Sequence, residues 1–169
     1  MKYGIVKDIW NGVLMGAAVS AMLFGAAKVN AAGAKEGIPE AYIQYCREAG
    51  SVYRVCPELL EAIMEEESGG NPDAVGSAGE IGLMQVDPKY HKGRGEGLNV
   101  CDLYEPRGNI FVGADYLAEL FLEYGDVGTV LMVYNGTEHA AERGKRGDYT
   151  EYAKRIMERS RHLEQKHGK

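Results

Sequence analysis

Three cysteines cannot all pair with one another, so this chain lacks the disulfide framework of a small secreted scaffold. A basic excess is missing too: the net charge is −6 over 169 residues, whereas a general nucleic-acid binder needs clustered Lys and Arg for phosphate contacts. No His-Glu-x-x-His or paired-cysteine spacing accompanies His162 and His167, and Asp126 to Asn135 has no calcium-loop pattern. No glycine-rich loop lies between a strand and a helix, so no metal and no cofactor is expected, and the glycines read as turns. The 23 glycines follow no collagen period, and the apolar content is too high for a disordered chain. With no internal repeat and no low-complexity linker, what remains is one globular domain.

Long apolar runs are scarce as well. The uncharged run from Gly12 to Ala27 has 16 residues, or 19 if extended back to Ile9, against the roughly 20 that span a bilayer comfortably. It follows Lys2 and Lys7 and ends in small residues, with Val29-Asn30-Ala31 or Ala32-Gly33-Ala34 as cleavage sites. Residues 1–31 are therefore expected to be a signal peptide or an N-terminal membrane anchor, and the domain an exported one. Residues 1–31 carry a net +2 and residues 143–169 a net +5, which leaves −13 on residues 32–142. The basic C-terminal segment is either a solvated helix face or a contact with the anionic envelope.

From Ile38 onward the pattern is helical, with no alternating strand of convincing length. A first helix is expected from Pro39 to a stop at Gly50, and a second from Pro57. Residues 69–105, rich in Gly, Pro, Asn and Asp, form a long irregular stretch whose apolar centre, Ile81 to Met84, must pack. Further helices are expected at about 107–124, 126–135 and 149–165, the last opened by a capping box at Asp148 and Glu151. Cys46 and Cys56 are either bridged or free, and Cys101 is left over as a packed thiol.

On the second helix Leu60, Ile63 and Met64 mark a buried stripe, and the next position on it is Glu67. At 100° per residue Glu65 points well away and Glu66 sits at the edge, so one acid of three faces inward. Desolvation there raises a carboxyl pKa, and the negative end of the helix dipole pushes the same way. That is how a glutamate stays protonated and acts as a general acid near neutral pH.

Glu67-Ser68-Gly-Gly-Asn71-Pro72, Gly82-Leu83-Met84-Gln85 and Tyr134-Asn135-Gly136 occur in an order and spacing that resembles the lytic transglycosylase (SLT) family of the lysozyme-like superfamily. The similarity covers about residues 40–165, within a domain placed at 38–169. The resemblance implies a mainly α fold of the lysozyme-like, α+β superfamily, with a cleft between two lobes and a long irregular active-site loop. It implies Glu67 as the catalytic acid and base, and Ser68, Ser77, Met84, Gln85, Tyr134 and Asn135 around the sugar. The substrate implied is the peptidoglycan glycan strand, cleaved between N-acetylmuramic acid and N-acetylglucosamine to leave a 1,6-anhydro end, by a monomer that binds no nucleic acid.

Two positions depart from the family pattern: an aromatic residue and a serine commonly lie three and nine places after the glutamate, where this chain has Gly70 and Gly76. Gly82 to Asp87 followed by His91 is also similar to goose-type lysozymes, in which further acids position a water for inverting hydrolysis. Asp87, with Glu80 nearby, is the possible second acid of that alternative. Asp87 before Pro88 is equally a helix N-cap, and His91 equally a packed loop residue. Asn135 and Gly136 also suit a left-handed helix end. Tyr149 and Tyr152 suit either sugar stacking or core packing. A non-catalytic glycan-binding protein of the same fold is the remaining alternative.

Overall fold

The computed structural model describes residues 37–169, so the expected export segment at 1–31 lies outside the described residues. Within them seven helices follow one another: α1 (Glu40–Tyr53), α2 (Pro57–Ser68), α3 (Pro88–Gly97), α4 (Pro106–Tyr124), α5 (Val127–Tyr134), α6 (Ala140–Lys145) and α7 (Glu151–Lys166). The only β pairing among them is a pair of isolated bridges, Val75 with Ile81 and Ile81 with Val86. None of these helices is long and apolar enough to cross a membrane.

Local chemistry sets the helix starts. Proline opens α2, α3 and α4, where its missing N–H would have had no intrahelical partner. Asp126 caps α5 by accepting from the Thr129 amide at 2.8 Å, and Thr150 caps α7 by accepting from Ala153 at 3.3 Å. The capping box expected at Asp148 and Glu151 is therefore not formed, and the N-cap falls two residues later, at Thr150. Asp148 instead pairs with Arg143 at 2.9 Å.

Helix α2 is central, packing on α1 and on α7, while α4 joins α1, α3 and α5. The stripe read from the sequence is the buried face of α2: Leu60, Ile63 and Met64 are each 0% exposed. Burial of side chains this size contributes roughly 1.5–3 kcal/mol each. They meet Ile110 and Leu117 of α4, Leu131 and Met132 of α5, and Ile156 and Leu163 of α7 in one core.

Four further expectations change. Helix α1 continues through Gly50 to a left-handed cap at Arg54. Gly50 is there for proximity, because a Cβ would lie 2.6 Å from the Val55 carbonyl oxygen and 2.9 Å from the Pro57 ring. The stretch 69–105 contains α3, and a short helix, α6, follows Asn135. Helix α3 holds three interior or terminal glycines and little apolar surface. Its support is the Asp87 cap and Arg94, which pairs with Asp115 and Glu119 on α4. All three cysteines are free, Cys46 buried and Cys56 and Cys101 exposed, so Cys101 is not packed.

Candidate active site

Glu67 lies in the last turn of α2, just before the left-handed cap at Gly69. Its two neighbours are drawn to α7, Glu65 by Arg159 and Glu66 by Arg155. Glu67 has no such cation. It accepts a hydrogen bond from the Tyr152 hydroxyl of α7. Burial pushes its carboxyl up to about 7, the Tyr152 bond works against that rise, and the charges of Glu66 and Glu80 add to it. Near neutral pH both protonation states are populated, which general acid and base chemistry on one group requires.

Beyond the end of α2 the chain turns through Gly82, Leu83, Met84 and Gln85. Gly82 has φ +76°, and a Cβ there would lie 2.5 Å from Asn109 Nδ2 and 2.6 Å from the Leu103 carbonyl, so only glycine fits. Asn109, fully buried in α4, donates to the carbonyls of Ile81 at 2.9 Å and Leu103 at 2.7 Å. Its Oδ1 accepts from the Met84 amide at 2.7 Å. The Tyr134 hydroxyl donates to the Met84 carbonyl at 2.7 Å, and Ser68 Oγ donates to the Leu83 carbonyl at 2.9 Å. Helices α2, α4 and α5 thus each hold one backbone group of the same turn.

These contacts sort the residues expected at the site. Tyr134 and Gln85 are half-buried, and the Met84 side chain is buried in the core. The Ser68 hydroxyl is engaged with backbone at Leu83 and accepts from the Gly70 amide at 3.2 Å, which makes it a brace of the loop. Asn135 ends α5 at φ −81°, and the left-handed conformation falls to Gly136. Ser77 is exposed at the tip of the loop. Asp87 caps α3 through the Lys89 amide at 2.8 Å, and its charge acts on His91. The carboxylates whose charge reaches Glu67 are Glu66 and Glu80, not Asp87.

His91 packs against Tyr116, ring centroids 4.5 Å apart, and Tyr116 against Tyr134 at 5.6 Å. Burial and the charge of Arg94 hold His91 below its ordinary pKa, as befits a packed neutral ring. Tyr149 donates to Asp126 at 3.0 Å, bracing the α5 cap, so of the two tyrosines near α7 only Tyr152 reaches Glu67. Register was the available signal: Tyr152 lies four residues before buried Ile156, whereas Tyr149 precedes the helix. Asn109 was missed although it is a lone amide among Ile110, Val112 and Ala114, where only a bonded polar group is tolerated. Among the described residues no group of three His, Cys, Asp or Glu side chains is placed to hold a metal ion.

The described residues form a helical domain with a half-buried, near-neutral glutamate at the end of α2. The chain belongs to the transglycosylase SLT domain family, whose model matches residues 44–157. It is 38% identical over 96 residues to the transglycosylase of Enterobacteria phage PRD1, covering 57% of this chain and 35% of that protein. It is 42% identical over 80 residues to endo-type membrane-bound lytic murein transglycosylase A of Klebsiella pneumoniae, covering 43% of this chain and 39% of that one. Among solved structures, the 70 kDa soluble lytic transglycosylase SLT70 of Escherichia coli superimposes with a TM-score of 0.63 at 20% identity, over 78% of this chain and 25% of that chain. Lytic transglycosylase Slt of Pseudomonas aeruginosa gives the same TM-score at 19% identity, over 76% and 25%. The two structures share the fold, and the chain spans well under half the length of every one of these proteins.

Proposed function

We propose that residues 38–169 are a peptidoglycan lytic transglycosylase with Glu67 as its single acid and base. The observation that carries this is the position of Glu67: without a cation, raised to about 7, bonded to Tyr152, and with its charge acting on Tyr134, whose hydroxyl holds the Met84 carbonyl. Glu67 protonates the glycosidic oxygen between N-acetylmuramic acid and N-acetylglucosamine, and the bond to the anomeric carbon breaks. As carboxylate it then takes the proton of the muramic C6 hydroxyl, whose oxygen bonds to that carbon. The proton lent in the first step is recovered in the second, water is not consumed, and a 1,6-anhydro end forms. The substrate's acetamido group assists at the anomeric centre.

In this proposal residues 1–31 export the domain or anchor it, and it acts as a monomer on glycan strands outside the cytoplasmic membrane. The Klebsiella relative is described as membrane-bound, which supports that location. Of the nine cations in residues 143–169, Arg143, Lys154, Arg155, Arg159 and Lys169 are paired with acids, which favours a structural role for those five. Digestion of purified sacculi followed by mass spectrometry tests the reaction, with anhydromuropeptides as the expected products. Reducing muramic ends alone would instead identify an inverting hydrolase, and the charge of Glu80 at Glu67 is what keeps that second reading in play. Glu67→Gln should abolish cleavage in either case, and substantial residual activity would remove Glu67 from its role.

A further inference from the structure

Gly69 and Gly70 follow one another directly after α2, both in the left-handed region, at φ +63° and +81°. Glycine has the widest conformational freedom of any residue, so the pair forms a joint between the helix that carries Glu67 and the loop that leads to the turn at Met84. The polar contacts of the joint are local. The Gly69 amide donates to the Glu65 carbonyl at 3.1 Å, the Gly70 amide to Ser68 Oγ at 3.2 Å, and the Asn71 amide to the Ser68 carbonyl at 3.2 Å. The contact from elsewhere in the chain is apolar: a Cβ on Gly70 would collide with Ile38 Cδ1. Ile38 is half-buried against the core. It is anchored by Pro39, whose φ of −56° is fixed by its ring and whose carbonyl accepts from the Tyr42 amide at 2.9 Å as α1 begins.

Where the family commonly has an aromatic side chain, residue 70 here has none, and Ile38 Cδ1 stands where one would start. Beside Ile38 lies a cavity of about 540 Å³ whose walls include Ala62, Gly69 and Ile156. With that space alongside and no Cβ at residues 69 and 70, shortening Ile38 leaves a larger void rather than a new packing contact. We infer that Ile38 is a positioning residue of the proposed reaction: from the segment before α1 its side chain closes over the Gly69-Gly70 joint and fixes the end of α2 on which Glu67 sits. The inference rests on the acid and base role proposed above for Glu67. Ile38 acts through the backbone of the joint, not on the sugar. A carboxyl on a loosened helix end spends less time in reactive geometry, and a misplacement of about 1 Å costs up to about 100-fold in rate.

The full chain is compared with Ile38→Ala, Ile38→Val and Ile38→Leu on soluble, uncrosslinked glycan strands, well below the melting temperature of every variant. Ile38→Val removes only the Cδ1 methyl and should lower kcat roughly threefold, and Ile38→Ala roughly tenfold or more. KM should stay within about twofold, because Asn109 and Tyr134 hold the turn at Met84 independently of the joint. Ile38→Leu keeps its δ carbons and should restore most of kcat. Amide exchange at Gly69, Gly70 and Asn71 should quicken roughly tenfold in Ile38→Ala while that of Leu131 and Met132 in α5 is unchanged, which separates a loosened joint from a general loss of stability. Gly70→Ala should unfold more easily in urea, and by a smaller factor in the Ile38→Ala background, where the strain at φ +81° remains but the collision is gone. Equal penalties in the two backgrounds, or exchange that quickens equally in α5, would overturn the inference. An active wild type with kcat unchanged in Ile38→Ala overturns this inference alone, whereas a wild type that cleaves no glycan overturns the proposed function and with it any catalytic consequence of Ile38.

Discussion

Replacing Tyr152 by Phe isolates the one hydrogen bond that opposes the rise of the Glu67 carboxyl. The Tyr152 hydroxyl donates to Glu67 Oε1, and such a bond favours the ionised carboxylate. Removing it takes away about 1.5–3 kcal/mol from the charged form only, which is roughly 1–2 pK units. Glu67, now at about 7, should then titrate above neutrality. Because the first step uses the protonated form, the alkaline limb of kcat/KM should move upward by that amount in a turbidity assay on cell walls from pH 5 to 9. The rate at low pH should fall by a smaller factor, since the carboxyl loses part of its orientation while its proton is retained. A limb that stays in place, or moves down, would refute the claim that Tyr152 tunes Glu67. Loss of activity at every pH with an unchanged limb would make it a packing residue.

Glu67→Gln should also be more stable than wild type at pH 8. A carboxyl raised in the folded state from 4.5 to about 7 stabilises it fully below pH 4.5 and loses that contribution as pH rises through 7, about 3 kcal/mol in all. Calorimetric melting should therefore show a gain at pH 8 that disappears at pH 4, and a gain independent of pH would contradict the raised carboxyl. Glu58 has the opposite sign. Burial pushes it up, but hydrogen bonds from Lys169, His167 and Cys56 outweigh burial and hold it down to about 2. Its contribution, about 3 kcal/mol, is present above pH 4.5 and lost as pH falls toward 2, so Glu58→Gln should flatten the urea stability profile between pH 5 and 2. Asn109→Ala strands the Met84 amide and two carbonyls; about 3 kcal/mol or more should be lost in urea titration, with wall-lytic activity falling at least tenfold.

The sequence exposes whatever is periodic and hides whatever is long-range. Glu67 is legible because Leu60, Ile63 and Met64 predict its face without knowledge of any other helix. Its partner Tyr152 is 85 residues away; register with Ile156 puts Tyr152 rather than Tyr149 on the buried face of α7, but no local pattern says that this face meets α2 at Glu67. Asn109 is similarly remote from Met84, yet its amide inside an apolar helix is visible as an anomaly. Of helix α3 only the start is legible, as the Asp87 cap before Pro88; its length is hidden because its further support is the Arg94 contacts to α4 rather than an apolar stripe. Gly50 misleads because a glycine that makes room for Val55 and Pro57 looks the same as one that ends a helix.

Helix α2 carries five glutamates besides its core stripe, and their fates separate by surroundings rather than by residue type. Glu58, in the first turn at the positive end of the helix dipole, is buried at 3% exposure but has Lys169 and His167 beside it, and it stays ionised. Glu65 and Glu66 take an arginine each from α7. Glu61 is buried at 4% exposure and is also raised, by desolvation first, yet it faces His167, Arg159 and Lys166, away from the turn at Met84. A raised carboxyl is therefore not by itself a sign of a catalytic site on this helix. Glu67 differs in combining the rise with the negative end of the dipole, a hydroxyl partner in place of a cation, and the charge of Glu80 from the loop. Placing a cation at Tyr152 should reverse this: Tyr152→Lys would give Glu67 the ion pair its neighbours have, lower its pKa and remove the acid function at neutral pH. If that variant folds and still cleaves walls at pH 7 at the wild-type rate, the absence of a cation is not what makes Glu67 the acid.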